Sequence, residues 1–68
     1  MRDLEIRDEM IRLGQALKLS GLAASGGDAR ALIEQGAIAV NGEVERRRGR
    51  QLHRADVVTL GDDAVRIT

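Results

Sequence analysis

A chain of 68 residues has room for one small domain. With no cysteine, disulfides and thiolate metal sites are excluded, and one histidine anchors no metal without carboxylate help. Lysine and arginine number 11 and so do aspartate and glutamate, a balance that at first argues against a polyanionic partner.

The distribution of charge is less even than the total. Residues 1–17 hold three bases and four acids, residues 18–54 seven bases and four acids, and residues 55–68 one base and three acids. A phosphate backbone responds to such a basic middle, not to the sum. Phe, Tyr and Trp are absent, so the core is expected to be aliphatic and any nucleic-acid contact must do without aromatic stacking. No run reaches the roughly 18 apolar residues of a membrane span. Met1 to Glu9 carries four acids and no apolar run, unlike a secretory signal. A cytoplasmic protein without membrane contact is expected.

In chain order, Leu4-Glu5-Ile6 alternates as a short strand would. Met10, Leu13 and Leu17 recur at helical spacing, which predicts a helix from Asp8 or Glu9 to Lys18. Gly14 weakens that helix by ~1 kcal/mol relative to alanine, a cost consistent with close packing of a neighbour. Gly21 ends it. Ser25 and Asp28 form an S-x-x-D helix start, and Ala29, Leu32 and Ile33 give the apolar face of a second helix. Gly36 stands where a left-handed cap is expected. The period then becomes two. Ile38 and Val40 share one side of a strand, and Asn41-Gly42 is a strong hairpin signal. Val44 begins the return strand, with Glu43 and Glu45 on its other face. Val57, Val58 and Leu60 form a further strand. Gly61-Asp62-Asp63 turns into a last strand carrying Val65 and Ile67. The predicted order is β-α-α-β-β-β-β: an α+β domain, residues 1–68, with a helix–loop–helix unit packed on a small, mostly antiparallel sheet.

Arg46, Arg47, Arg48, Arg50 and Arg54 fall within nine residues, with His53 among them and no acid. On a strand and the following loop they would form a cationic ridge, extended by Lys18 and Arg30. Guanidinium forks hold phosphate oxygens and can stack on bases. A solvated charged face is the plain alternative. Glu43 and Glu45 could neutralise at most two of the arginines, and Arg30 could pair with Glu34 one turn on. Ser25-Gly26-Gly27 could offer helix N-terminal amides to an anion, or form only a cap. Asp28 would compete for those donors. Asn41 belongs first to a turn, Asp56 is expected to fix the turn before the next strand, and His53 is expected at the surface. No nucleophile–base–acid set can be drawn, so no catalytic residue, cofactor or small-molecule substrate is expected.

These residues together resemble the S-four-type RNA-binding domain, the alpha-L RNA-binding motif. Its "A-x-x-L-I-x-x-G-x-V-x-V-N-G" core corresponds to Ala29, Leu32, Ile33, Gly36, Ile38, Val40, Asn41 and Gly42, and its "G-D-x-V" to Ala55-Asp56-Val57-Val58. The stretches Leu17 to Arg30 and Asn41 to Leu52 are similar to those of small free-standing bacterial members. The resemblance implies a non-enzymatic, monomeric module that binds structured RNA, ribosomal or transfer, in ribosome assembly or translation. It implies contacts from Lys18, Ser25, Gly26, Gly27, Arg30, Asn41, Arg46, Arg47, Arg48 and Arg50. Two positions depart from the pattern: Gly26 replaces a basic residue, and Ala55 replaces the glycine before the aspartate. About five neutralised phosphates would give a salt slope of about −3.5 to −4.5. The alternatives are an adaptor that binds protein and a binder of duplex DNA, for which no recognition helix is evident. A sulfur carrier would need a C-terminal Gly-Gly, where this chain reads Arg66-Ile67-Thr68.

Overall fold

Alternation of apolar residues in the C-terminal half builds a sheet, and the two helices lie against one side of it. The computed structural model describes residues 1–68. Its elements are β1 (Arg2–Leu4), β2 (Ile11–Arg12), α1 (Leu13–Ser20), α2 (Gly26–Glu34), β3 (Ile38–Val40), β4 (Glu43–Val44), β5 (Gln51–Leu52), β6 (Val57–Leu60) and β7 (Asp63–Ile67). Five strands form one sheet in the order β1-β7-β6-β3-β4, and β2 pairs with β5 in a second, two-stranded sheet. Only the β1–β7 pairing is parallel. The expected α+β fold is therefore present, with β2 and β5 added to it.

Pairing register explains the core. Ile38 lies opposite Leu60, Val40 opposite Val58, and Val58 opposite Val65, so these side chains share one face of the sheet. That face meets Leu13, Ala16 and Leu17 of α1 and Ala29 and Ile33 of α2 in an aliphatic cluster that also holds Leu52. Leu13, Leu17, Ala29, Ile33, Ile38 and Leu52 have almost no solvent contact.

The starts of the first two elements differ from expectation. The N-terminal strand is Arg2–Leu4, and its pairing continues through Ile6, whose amide donates to the Thr68 carbonyl at 2.9 Å. The first helix begins at Leu13, not at Asp8 or Glu9. Ile11 and Arg12 are taken by Leu52 and Gln51 in the two-stranded sheet, and the Leu13 amide donates to the Arg50 carbonyl at 2.9 Å. Long-range pairing here overrides a helical spacing that runs through Met10. No helix is long and apolar enough to cross a membrane.

Candidate nucleic-acid interface

Ser25 opens α2 as the spacing predicts. Its hydroxyl accepts from the Asp28 amide at 3.1 Å, while the Asp28 carboxylate takes none of the helix amides. The expected competition for those donors is therefore absent. Gly36 follows the helix at φ 77°. Asn41 and Gly42 form the hairpin turn with φ values of 51° and 87°, the left-handed pair a type I′ turn requires.

The Asn41 side chain is occupied within the fold. Its amide donates to Asp56 Oδ1 at 3.0 Å, and its carbonyl accepts from the Val57 amide at 2.9 Å. Asp56 Oδ2 accepts from the His53 amide at 2.7 Å. Burial alone would push the Asp56 carboxyl up, but these two hydrogen bonds, together with nearby positive charge that includes Arg50, hold the group below its ordinary value of 3.8. Asn41 and Asp56 thus tie the β3–β4 turn to the start of β6.

The arginine cluster divides by partner. Glu45 and Val44 lie on opposite faces as the alternation predicts, with Glu45 on the core side of the sheet, 7% exposed, and Val44 turned out to solvent. The Glu45 carboxylate receives Arg47 Nε and Nη2 at 3.0 Å, the Arg47 amide at 3.1 Å and Arg50 Nη1 at 2.8 Å. Hydrogen bonds from Arg47, then Arg50, hold this carboxyl far below the usual carboxylate range. Arg47 and Arg50 are therefore both tied to Glu45, which offsets one of their two positive charges. Arg54 donates to the Ile6 carbonyl at 2.9 Å, and Arg30 pairs with Glu34 at 3.0 Å on an exposed helix face. The single ridge expected of the cluster is replaced by these separate attachments.

Arg46 and Arg48 have no carboxylate partner. Each lies over a glycine of the helical unit. Arg46 carries its guanidinium onto Gly36, where a Cβ would stand within 2.5 Å of Nη2, and Arg48 lays its aliphatic stem on Gly14. The 46–50 segment is docked on α1 by its backbone: the Gly14 amide donates to the Arg48 carbonyl at 3.1 Å, and the Arg50 amide closes a turn on the Arg47 carbonyl.

An open cleft of about 360 Å³ results, lined by Arg12, Gly14, Gln15, Lys18, Gly26, Arg48 and Gly49. It contains three cations, no acid and no apolar side chain. Of the residues expected to make contacts, the structure brings Lys18, Gly26 and Arg48 together here. Ser25 and Gly27 flank Gly26 in sequence, whereas Arg30, Asn41, Arg46, Arg47 and Arg50 do not line the cleft. Arg12 and Gln15 were not foreseen. Arg12 was assigned to the interior of a helix, but it is the residue before α1 and donates to the Gly49 carbonyl at 3.0 Å. No local signal could have placed it there, because its partner lies 37 residues along the chain. No group of three or more metal-ligating side chains is assembled anywhere in the chain.

Fold and sequence together place this chain in a known class: it belongs to the S4 domain family, whose model matches residues 4–68. Among its relatives, it is 44% identical over 57 residues to the probable ribosome maturation protein RlbA of Bacillus subtilis (strain 168), a match covering 84% of this chain and 80% of that one. The 30S ribosomal protein S4e from Thermoplasma acidophilum has a similar fold, with a TM-score of 0.67 at 20% identity. That match covers 88% of this chain but 32% of the ribosomal protein, so the chain spans about a third of its length.

Proposed function

We propose that residues 1–68 form one RNA-binding module, monomeric and cytoplasmic, that recognises structured ribosomal RNA during ribosome maturation. The observation that carries this reading is the cleft in which Arg12, Lys18 and Arg48 converge on Gly26 without an opposing carboxylate. Three uncompensated cations and the first amides of a helix suit phosphate oxygens. Membership of the S4 domain family and the ribosome maturation role in the relative's name support the same direction. With no aromatic residue in the chain, recognition would run through backbone shape, 2′-hydroxyls and guanidinium stacking.

The number of phosphates engaged is smaller than the arginine count suggests. With Arg47 and Arg50 both held by Glu45, the cations without a carboxylate partner are Arg12, Lys18 and Arg48 in the cleft and Arg46 over Gly36. At about −0.9 per phosphate on a duplex, four contacts give a salt slope of about −3.6, or about −2.8 on a single strand. Binding of Bacillus subtilis ribosomal RNA and of a labelled RNA stem–loop, measured over a range of salt concentrations, tests this. The Arg46→Ser/Arg48→Ser variant is expected to bind more weakly, with a slope shallower by roughly 1.8. Arg47→Ser is expected to change the slope by no more than about 0.9, because Glu45 already holds that guanidinium. Absence of binding at low salt, or a slope unaffected by loss of Arg46 and Arg48, would overturn the proposal. Tighter binding of transfer RNA than of ribosomal RNA would redirect it.

A further inference from the structure

We infer that Gly14 is a positioning residue for RNA binding: its missing side chain leaves the seat on which the Arg48 stem lies, and so directs the Arg48 guanidinium into the cleft. This inference rests on the RNA-binding reading and adds a determinant that carries no charge and need not touch the ligand.

Gly14 is the second residue of α1, at a helical position where alanine would be preferred. Its φ is not in the left-handed region, so the backbone does not call for glycine. Its amide donates to the Arg48 carbonyl at 3.1 Å, but any residue except proline supplies that donor. The steric surroundings do distinguish glycine. A Cβ at Gly14 would lie 2.7 Å from Arg48 Cγ and 3.2 Å from Cδ, with the Arg48 carbonyl oxygen at 3.7 Å. The clash falls on Arg48 Cγ, at the root of the side chain, so a methyl group would force the Arg48 stem into another χ1 rotamer. Gly14 and Arg48 both line the cleft with Lys18, Gln15 and Gly26. Displacement of the stem therefore changes the arrangement of the cations themselves.

Gly36 beneath Arg46 makes a similar seat, but its φ of 77° favours glycine whatever lies above it. Only Gly14 separates the seat from the backbone.

The test is a double-mutant cycle on the full chain, with a labelled RNA stem–loop as probe. Gly14→Ala is expected to remain folded by circular dichroism, because its added Cβ meets a side chain and not the backbone of α1. It should bind about ten- to a hundredfold more weakly, as for loss of one charged hydrogen bond, with a salt slope shallower by about 0.9. In an Arg48→Ala background the same substitution should have no effect on binding. Parent-like affinity and slope for Gly14→Ala would overturn the inference. So would a loss that persists without Arg48, since that would place the effect in the helix. A nuclear Overhauser contact between Gly14 Hα and Arg48 Hγ in the unmodified protein is expected independently of any variant, and its absence would also overturn the seat. Failure of the parent chain to bind the probe is seen before any substitution is made, and it would remove the functional reading itself.

Discussion

Ala55 holds a φ of 81°, a left-handed conformation that an L side chain adopts only at a cost. Its neighbours impose this geometry. The Ala55 amide donates to the Ile67 carbonyl at 2.7 Å, the Asp56 amide closes on the His53 carbonyl at 3.0 Å, and the Asp56 carboxylate draws back the His53 amide. The turn is thus fixed from both ends, and the strain falls on the residue between them. Ala55→Gly removes the Cβ penalty but gives the unfolded chain more freedom. The net expectation is a gain of about 0.5–1 kcal/mol, read as a higher urea midpoint with an unchanged m-value. This site was legible in the sequence, because alanine stands where the resembled pattern has glycine. Asn41 was legible as a turn residue. Its grip on Asp56 and Val57 was not, because partners 15 and 16 residues away leave no local pattern.

At the scale of elements, β4 and the segment after it show how a strand's inside and outside are decided. Alternation correctly put Val44 and Glu45 on opposite faces but not which face was inner. A hydrophobic rule turns Val44 inward. The structure turns Glu45 inward because four hydrogen bonds from Arg47 and Arg50 satisfy its carboxylate there, and a carboxylate with so little solvent needs such partners. The consequence for pH has a definite sign. The folded Glu45 titrates far below its ordinary value of 4.5. Above that value both folded and unfolded chains are ionised, and the stabilisation is fully present. As the pH falls below it, the unfolded chain takes up a proton that the folded chain refuses, and stability declines towards the depressed folded value. Glu45→Gln should therefore flatten the acid limb of the stability curve, measured by chemical denaturation at a series of pH values. An acid limb as steep as the parent's would show that Glu45 is not among its causes. The Ser25 cap of α2 needed no such tertiary help, since donor and acceptor are three residues apart.

The whole molecule measures 27 × 20 × 18 Å, and its core cluster is entirely aliphatic. A chain of this length holds roughly 3–10 kcal/mol of stability. Leu52 stands where the small sheet meets the main core: it pairs with Ile11, carries no exposed surface and belongs to the same cluster as Leu13 and Ile38. Truncation of a fully buried leucine costs about 2–5 kcal/mol, a large part of that total. Leu52→Ala is expected to lower the thermal midpoint sharply or to leave the chain largely unfolded, by circular dichroism and amide exchange. A midpoint close to the parent's would mean that the β2–β5 sheet is peripheral to the core.

The order of helices and main strands, the α2 cap, the hairpin turn and the aliphatic core follow from the sequence alone. Each rests on periodicity or on residues a few positions apart, which one stretch of chain specifies by itself. The two-residue strands β2 and β5, the inward turn of Glu45 and the division of the arginines between a carboxylate, a carbonyl and two glycines were decided only on folding. Those contacts join residues remote in the chain, and charge density along a sequence does not record which charges the fold will neutralise.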